Sequence, residues 1–78
     1  MKSESKVAIF VTHQIDFLGL KQKDVAAKAG FEKPNIITMI KQGHTKVPQD
    51  KMAALARALE AEEIPFIRMC LEEYLPAV

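Results

Sequence analysis

Covalent chemistry in this chain would have to begin at Cys70, its single cysteine, working with His13 or His44. A thiol becomes a nucleophile beside a base that takes its proton. Cys70 instead falls on a helical stripe with Phe66, Met69 and Tyr74, so a buried, inert thiol is expected. His13 lies among polar neighbours and reads as a solvated side chain. His44 follows Gly43 in a basic loop, where it touches phosphate or touches nothing. No two metal-ligand residue types stand at metal spacing. The three glycines share no phosphate-binding motif. Glu60, Glu62 and Glu63 read as a solvated connector, and Glu72 and Glu73 as the outer face of the last helix. These residues offer no catalytic pair. The expectation is a non-enzymatic protein with no cofactor, no metal and no small-molecule ligand.

Non-covalent recognition has better material between Gln22 and Gly43. On a wheel of about 100° per residue, Ile36, Ile37 and Ile40 cluster on one side of a short helix. Asn35, Thr38, Met39 and Gln42 cluster opposite. The amides of Asn35 and Gln42 can each pair bidentately with adenine in the DNA major groove. Thr38 can give a hydrogen bond or a methyl contact to thymine. Met39 either lies against a thymine methyl or is partly covered by a neighbouring helix. Gln22, at the start of the preceding helix, can aim its amide and the helix N-terminus at a phosphate. Lys33, Lys41 and Lys46 flank the face as phosphate contacts. Each phosphate so neutralised adds roughly one unit to the salt dependence of binding.

Five helices are needed to position these residues. The first is capped by Ser3 or Ser5 and runs to about Leu18, with Val7, Phe10 or Val11, and Ile15 or Leu18 at spacings of three and four. Residues 7–11 are β-branched enough to form a strand, but the apolar pattern continues past Thr12 to Ile15. Gly19 ends this helix, and Leu20 staples the next. The second starts near Lys21 or Gln22 and ends at Ala29, with Val25, Ala26 and Ala29 inward, Asp24 in its first turn and Gly30 closing it. The third covers residues 34–42, opened by Pro34 and closed by Gly43. After a loop at 44–47, Pro48 opens a fourth helix to Glu60, striped by Met52, Leu55, Ala56 and Leu59. Pro65 opens the fifth, with Phe66, Met69, Cys70 and Tyr74 inward, and a tail follows at 75–78. The expectation is an all-α single domain over residues 1–78, with no repeat and no linker.

Net charge is only +1, but it is unevenly spread. Residues 21–46 hold six lysines against Asp24 and Glu32, a local +4, and residues 47–78 carry −3. A positive middle suits a polyanion; ordinary solvated lysine is the alternative. One cysteine allows no internal disulfide. No signal peptide or membrane span is visible, so a cytoplasmic protein is expected.

Leu20, Gln22, Asp24, Val25, Ala26, Ala29, Gly30, Phe31, Ile37, Ile40 and Gly43, in this order, resemble the lambda-repressor/Cro-type helix-turn-helix, the XRE family. The loop from Gly43 through His44, Thr45, Lys46 and Val47 to Pro48, and the helix holding Met52, Leu55 and Leu59, extend the resemblance. It covers residues from about 7 to 75. It implies a compact five-helix domain that binds operator double-stranded DNA, usually as a homodimer. It implies a backbone or base contact at Gln22. It implies major-groove reading by Lys33, Pro34, Asn35, Thr38 and Met39, and phosphate held at His44, Thr45 and Lys46. Three features depart from the pattern. Lys21 replaces the usual Ser or Thr cap, at a cost of about 1 kcal/mol. The turn between Gly30 and Ile37 is one residue longer. Lys41 stands where Glu is common. Repressors, Cro-like switches, antitoxins and restriction-system controllers all belong to the family, so the biological role does not transfer.

The leading expectation is a small sequence-specific transcriptional regulator, Cro-like and repressing. Helix five carries apolar residues on more than one side, which suggests a symmetric dimer through Phe66, Ile67, Leu71, Tyr74 and Leu75. A monomer sealed by helix five is the alternative. The other functional reading is an antitoxin-like protein-interaction module that uses the same helix, with DNA binding secondary.

Overall fold

The computed structural model describes residues 5–75. Ser3, the other candidate cap, and the tail residues 76–78 lie outside the described residues. Five α-helices follow in order: α1 (Lys6–Leu18), α2 (Gln22–Ala29), α3 (Asn35–Lys41), α4 (Met52–Ala58) and α5 (Glu63–Tyr74), with a 3-10 turn (Gln49–Lys51) before α4. The all-helical expectation holds across the described residues.

Ser5 caps α1, its hydroxyl oxygen accepting from the Ala8 N–H at 3.0 Å. Residues 7–11 are helical, because Val7, Val11 and Ile15 recur at the spacing that turns one stripe into the core. The opposite side of α1 leaves Ile9 and Phe17 exposed, with His13 stacked on Phe17 at 5.7 Å. Glu73, read from the sequence as outer-face carboxylate, does structural work. Its carboxylate accepts from the Val7 N–H at 3.1 Å and the Ser5 hydroxyl at 2.5 Å, so the end of α5 ties down the start of α1. Glu73→Ala should therefore lower stability by about 1 kcal/mol, the usual worth of a helix cap. Urea unfolding checks it, and an unchanged midpoint would remove the capping role.

Gly19, Gly30 and Gly43 take left-handed φ of 66°, 87° and 75°. Each lets a reversed turn satisfy the last carbonyls of its helix; at the end of α3 the His44 N–H reaches the Met39 carbonyl at 2.9 Å. The fourth such turn has no glycine. Glu60 adopts φ 58°, and the Ala61 N–H reaches the Ala56 carbonyl at 2.9 Å. α4 thus stops at Ala58, two residues before the expected Glu60. Its start also differs, since the 3-10 turn intervenes between Pro48 and Met52. α5 begins at Glu63, not Pro65. Proline is tolerated there because N–H groups of the first turn lack helical partners anyway.

α4 packs on α2 and α5, and α1 packs on α3 and α5. The core between them holds Val11, Val25, Ile37, Ile40, Leu55, Leu59, Phe66 and Cys70, each at most 1% exposed. Phe66 meets Phe10 with ring centroids 5.7 Å apart at 42°. This corrects the assignment of Phe66 to a dimer surface, because the side chain is already spent inside one chain. Cys70 is buried as expected, and burial pushes its thiol up to about 11, which keeps it protonated and inert.

Candidate nucleic-acid interface

α3 is short and owes its position to its apolar side. Ile37 and Ile40 are fully buried. Ile36, grouped with them on the wheel, is only half-buried and faces a surface groove. On the other side Lys33, Pro34, Asn35, Met39, Gln42 and His44 are exposed, while Thr38 and Thr45 are half-buried. Met39 is 38% exposed, so it is partly covered and still opens onto this face. An apolar side chain on an otherwise polar face suits contact with a methyl group better than contact with water.

Gln22 does not point freely outward. Its side-chain Nε2 donates to Thr38 Oγ1 at 2.8 Å, and its Oε1 accepts from Lys41 Nζ at 2.7 Å. The start of α2 is stitched to the face of α3. Two of the expected contact groups, the Gln22 amide and the Thr38 hydroxyl, thus already have partners within the chain. The crossing of the two helices puts the three side chains within reach. Thr38 keeps its own hydroxyl proton and Lys41 keeps two donors, so the chain of bonds orients donors without exhausting them.

A shallow groove runs beside α3, lined by Gly30, Phe31, Lys33, Asn35, Met39 and Lys51 among others. No sequence pattern marks Lys51. In the fold its Nζ lies 3.0 Å from where a Cβ on Gly30 would sit. Gly30 is required by its φ of 87°, whereas the nearby ammonium ends a flexible side chain that can shift. Among the described residues the one ion pair is Arg57 with Glu63, at 2.8 Å. Lys33 and Lys46 are exposed and Lys51 is half-buried, none with a carboxylate partner among the described residues, which leaves their charge available to a polyanion.

In the following loop Val47 is buried and its N–H donates to the Tyr74 hydroxyl at 2.9 Å. Lys46 Nζ lies over the Tyr74 ring, 5.5 Å from the centroid. Tyr74 is therefore committed to this loop, which reduces its part in the expected dimer surface. Among the described residues no group of three His, Cys, Asp or Glu side chains could hold a metal ion, and no helix is long and apolar enough to cross a membrane.

A family model described as helix-turn-helix matches residues 18–65, more than half of the chain. The chain belongs to the helix-turn-helix family. The match begins at the end of α1 and spans α2, α3 and α4, and it agrees with the resemblance carried by Gln22, Gly30, Ile37 and Gly43. No curated protein matches the sequence. Solved structures do. The wild-type restriction-modification controller protein C.Esp1396I superposes with a TM-score of 0.67 at 22% identity, covering 95% of this chain and 94% of that one. C.Esp1396I bound to a 25 base pair operator site gives 0.69 at 22% identity, covering 92% and 93%. At that identity the likeness shows the shared helical fold.

Proposed function

We propose that this helix-turn-helix protein is a transcriptional regulator that binds double-stranded DNA in a sequence-specific way, with α3 in the major groove. One observation carries the reading: the two buried isoleucines fix α3 so that Asn35, Met39 and Gln42 face outward, flanked by lysines that no carboxylate neutralises. Base readout falls to Asn35, Met39 and Gln42, with Lys33 and Pro34 at the entrance of the helix. Thr38, Gln22 and Lys41 act as one hydrogen-bonded set that holds the face in register. His44, Thr45 and Lys46 hold phosphate. That the similar controller protein has been captured on an operator supports this reading.

The same reading makes the active species a symmetric dimer. Ile64, Ile67 and Leu71 lie on one side of α5 and Leu75 follows its last turn, with Ile64 68% and Leu75 64% exposed and Ile67 and Leu71 half-buried. These exposed apolar side chains also favour the second reading, a protein-interaction module of the antitoxin kind. Selection of bound sequences from a random DNA pool, followed by titration of the selected site, separates the two. A selected palindrome supports the regulator; absence of any retained DNA even at low salt favours the interaction module.

Two substitutions test the site itself. Asn35→Ala should weaken the selected site by about 1–3 kcal/mol and relax the preference at one base position. An equal loss on selected and random DNA would make Asn35 a backbone contact. Lys46→Ala should weaken both DNAs alike and lower the salt slope by about one unit, and an unchanged slope rules out a phosphate contact there.

A further inference from the structure

Resting on the DNA-binding reading, we propose that Tyr74 is a positioning residue for that activity: it fixes the loop that presents Lys46 to the DNA backbone. Tyr74 lies at the end of α5, 27 residues from the loop amide it engages, and touches that loop at two points. Its hydroxyl accepts the Val47 N–H at 2.9 Å, and its ring lies under Lys46 Nζ at 5.5 Å. The first contact settles the backbone. Val47 is only 2% exposed, so its N–H needs a protein acceptor, and no strand or helix supplies one in this loop. The second contact settles the side chain. A lysine free in solvent loses rotamer entropy when it engages a phosphate. Lys46, held against an aromatic face, has part of that ordering done in advance.

The kind of partner matters. A carboxylate in the place of the ring would hold the ammonium and also neutralise it. An aromatic face holds it and leaves the full charge directed outward. Lys46 is exposed while Tyr74 is half-buried, which is the arrangement of a cation supported from behind. Burial pushes the Tyr74 hydroxyl up to about 12, so the ring stays neutral at physiological pH and offers Lys46 no counter-charge. Tyr74 packs, half-buried, against the core one helical turn beyond the buried Cys70. Support for the loop is thus continuous from the buried centre of α5 to an exposed ammonium.

The test is the variant Tyr74→Phe, which keeps the ring and removes the acceptor of the Val47 N–H. Binding of a fluorescently labelled random-sequence duplex is titrated by anisotropy at several salt concentrations, at a temperature where melting curves show each variant fully folded. Tyr74→Phe should bind about five-fold more weakly, the worth of one hydrogen bond, with a salt slope shallower by up to about one unit. In a Lys46→Ala background the same substitution should cause no further loss, because it acts through Lys46. Equal binding by Tyr74→Phe and wild type overturns the assignment. So does an undiminished loss in the Lys46→Ala background, which would mark a general structural effect. A wild-type protein that binds no duplex at low salt overturns the DNA reading itself, and the positioning role with it.

Discussion

Phe66→Ala is expected to lower the free energy of unfolding by about 3–5 kcal/mol, the range for emptying a large aromatic site in a core. Phe66 is 1% exposed, and its ring is set against Phe10 at 5.7 Å. It belongs to α5, which packs against both α1 and α4. Removing it leaves a cavity in the core and takes away the partner of the Phe10 ring. In a domain of this size the loss is a large share of a total of roughly 5–15 kcal/mol, so the variant should be partly unfolded at physiological temperature. Urea unfolding followed by circular dichroism measures it. A dimer-surface role predicts something different: a near-normal unfolding midpoint extrapolated to low protein concentration, with only self-association lost. A loss below about 1 kcal/mol, far short of the cavity range, accompanied by monomerisation would return Phe66 to the surface.

How Phe66 came to be read both ways shows where the sequence is legible. α5 has apolar residues around most of its circumference, and a helical wheel does not say which arc meets the rest of the chain. The fold resolves it: Phe66 and Cys70, four residues apart, are buried, Ile67 and Leu71 are half-buried against the core, and Ile64 and Leu75 are exposed. Helix ends were legible wherever a glycine marks a left-handed turn, at Gly19, Gly30 and Gly43. The same turn built on Glu60 carries no such mark, so α4 was expected two residues too long. Pro65 misled in the opposite direction, because proline fits any position of the first turn and not only its first.

Within the candidate interface, composition and helical period were enough to place Asn35, Met39 and Gln42 on an outward face. They could not reveal which polar groups satisfy one another. Gln22 meets Thr38 and Lys41 across 16 and 19 residues, Tyr74 meets Val47 across 27, and Glu73 meets Val7 across 66. Each pairing depends on how segments distant in the chain pack together, a property set by the whole core and not by any local pattern. Lys51 escaped notice for the same reason: only the close approach of the turn at Gly30 gives its ammonium a place beside α3.

The proposed dimer is open to a sharper test through Leu75→Glu. Leu75 is 64% exposed and follows the last turn of α5, so the substitution should leave the folded monomer intact. In a symmetric interface each residue occurs twice. Burying a leucine side chain is worth about 1.5–3 kcal/mol. Two copies, one third already covered in the monomer, therefore contribute on the order of 2–4 kcal/mol to association. Glutamate forfeits this gain and must in addition be desolvated or kept apart from its symmetry mate. The dimer dissociation constant should rise by about a hundred-fold or more, each factor of ten being about 1.4 kcal/mol. Operator binding should fall with it, because two half-sites read by separate monomers lose the advantage of linkage. Random-sequence DNA at low salt should be bound less differently, since phosphate contacts belong to each monomer. Sedimentation at micromolar concentration reads the association directly. A wild-type protein that sediments as an 8.7 kDa monomer both free and on DNA defeats the dimer. A dimer indifferent to glutamate at 75 would move the interface away from this side of α5, with the exposed side of α1 around Ile9 and Phe17 the next apolar surface to substitute.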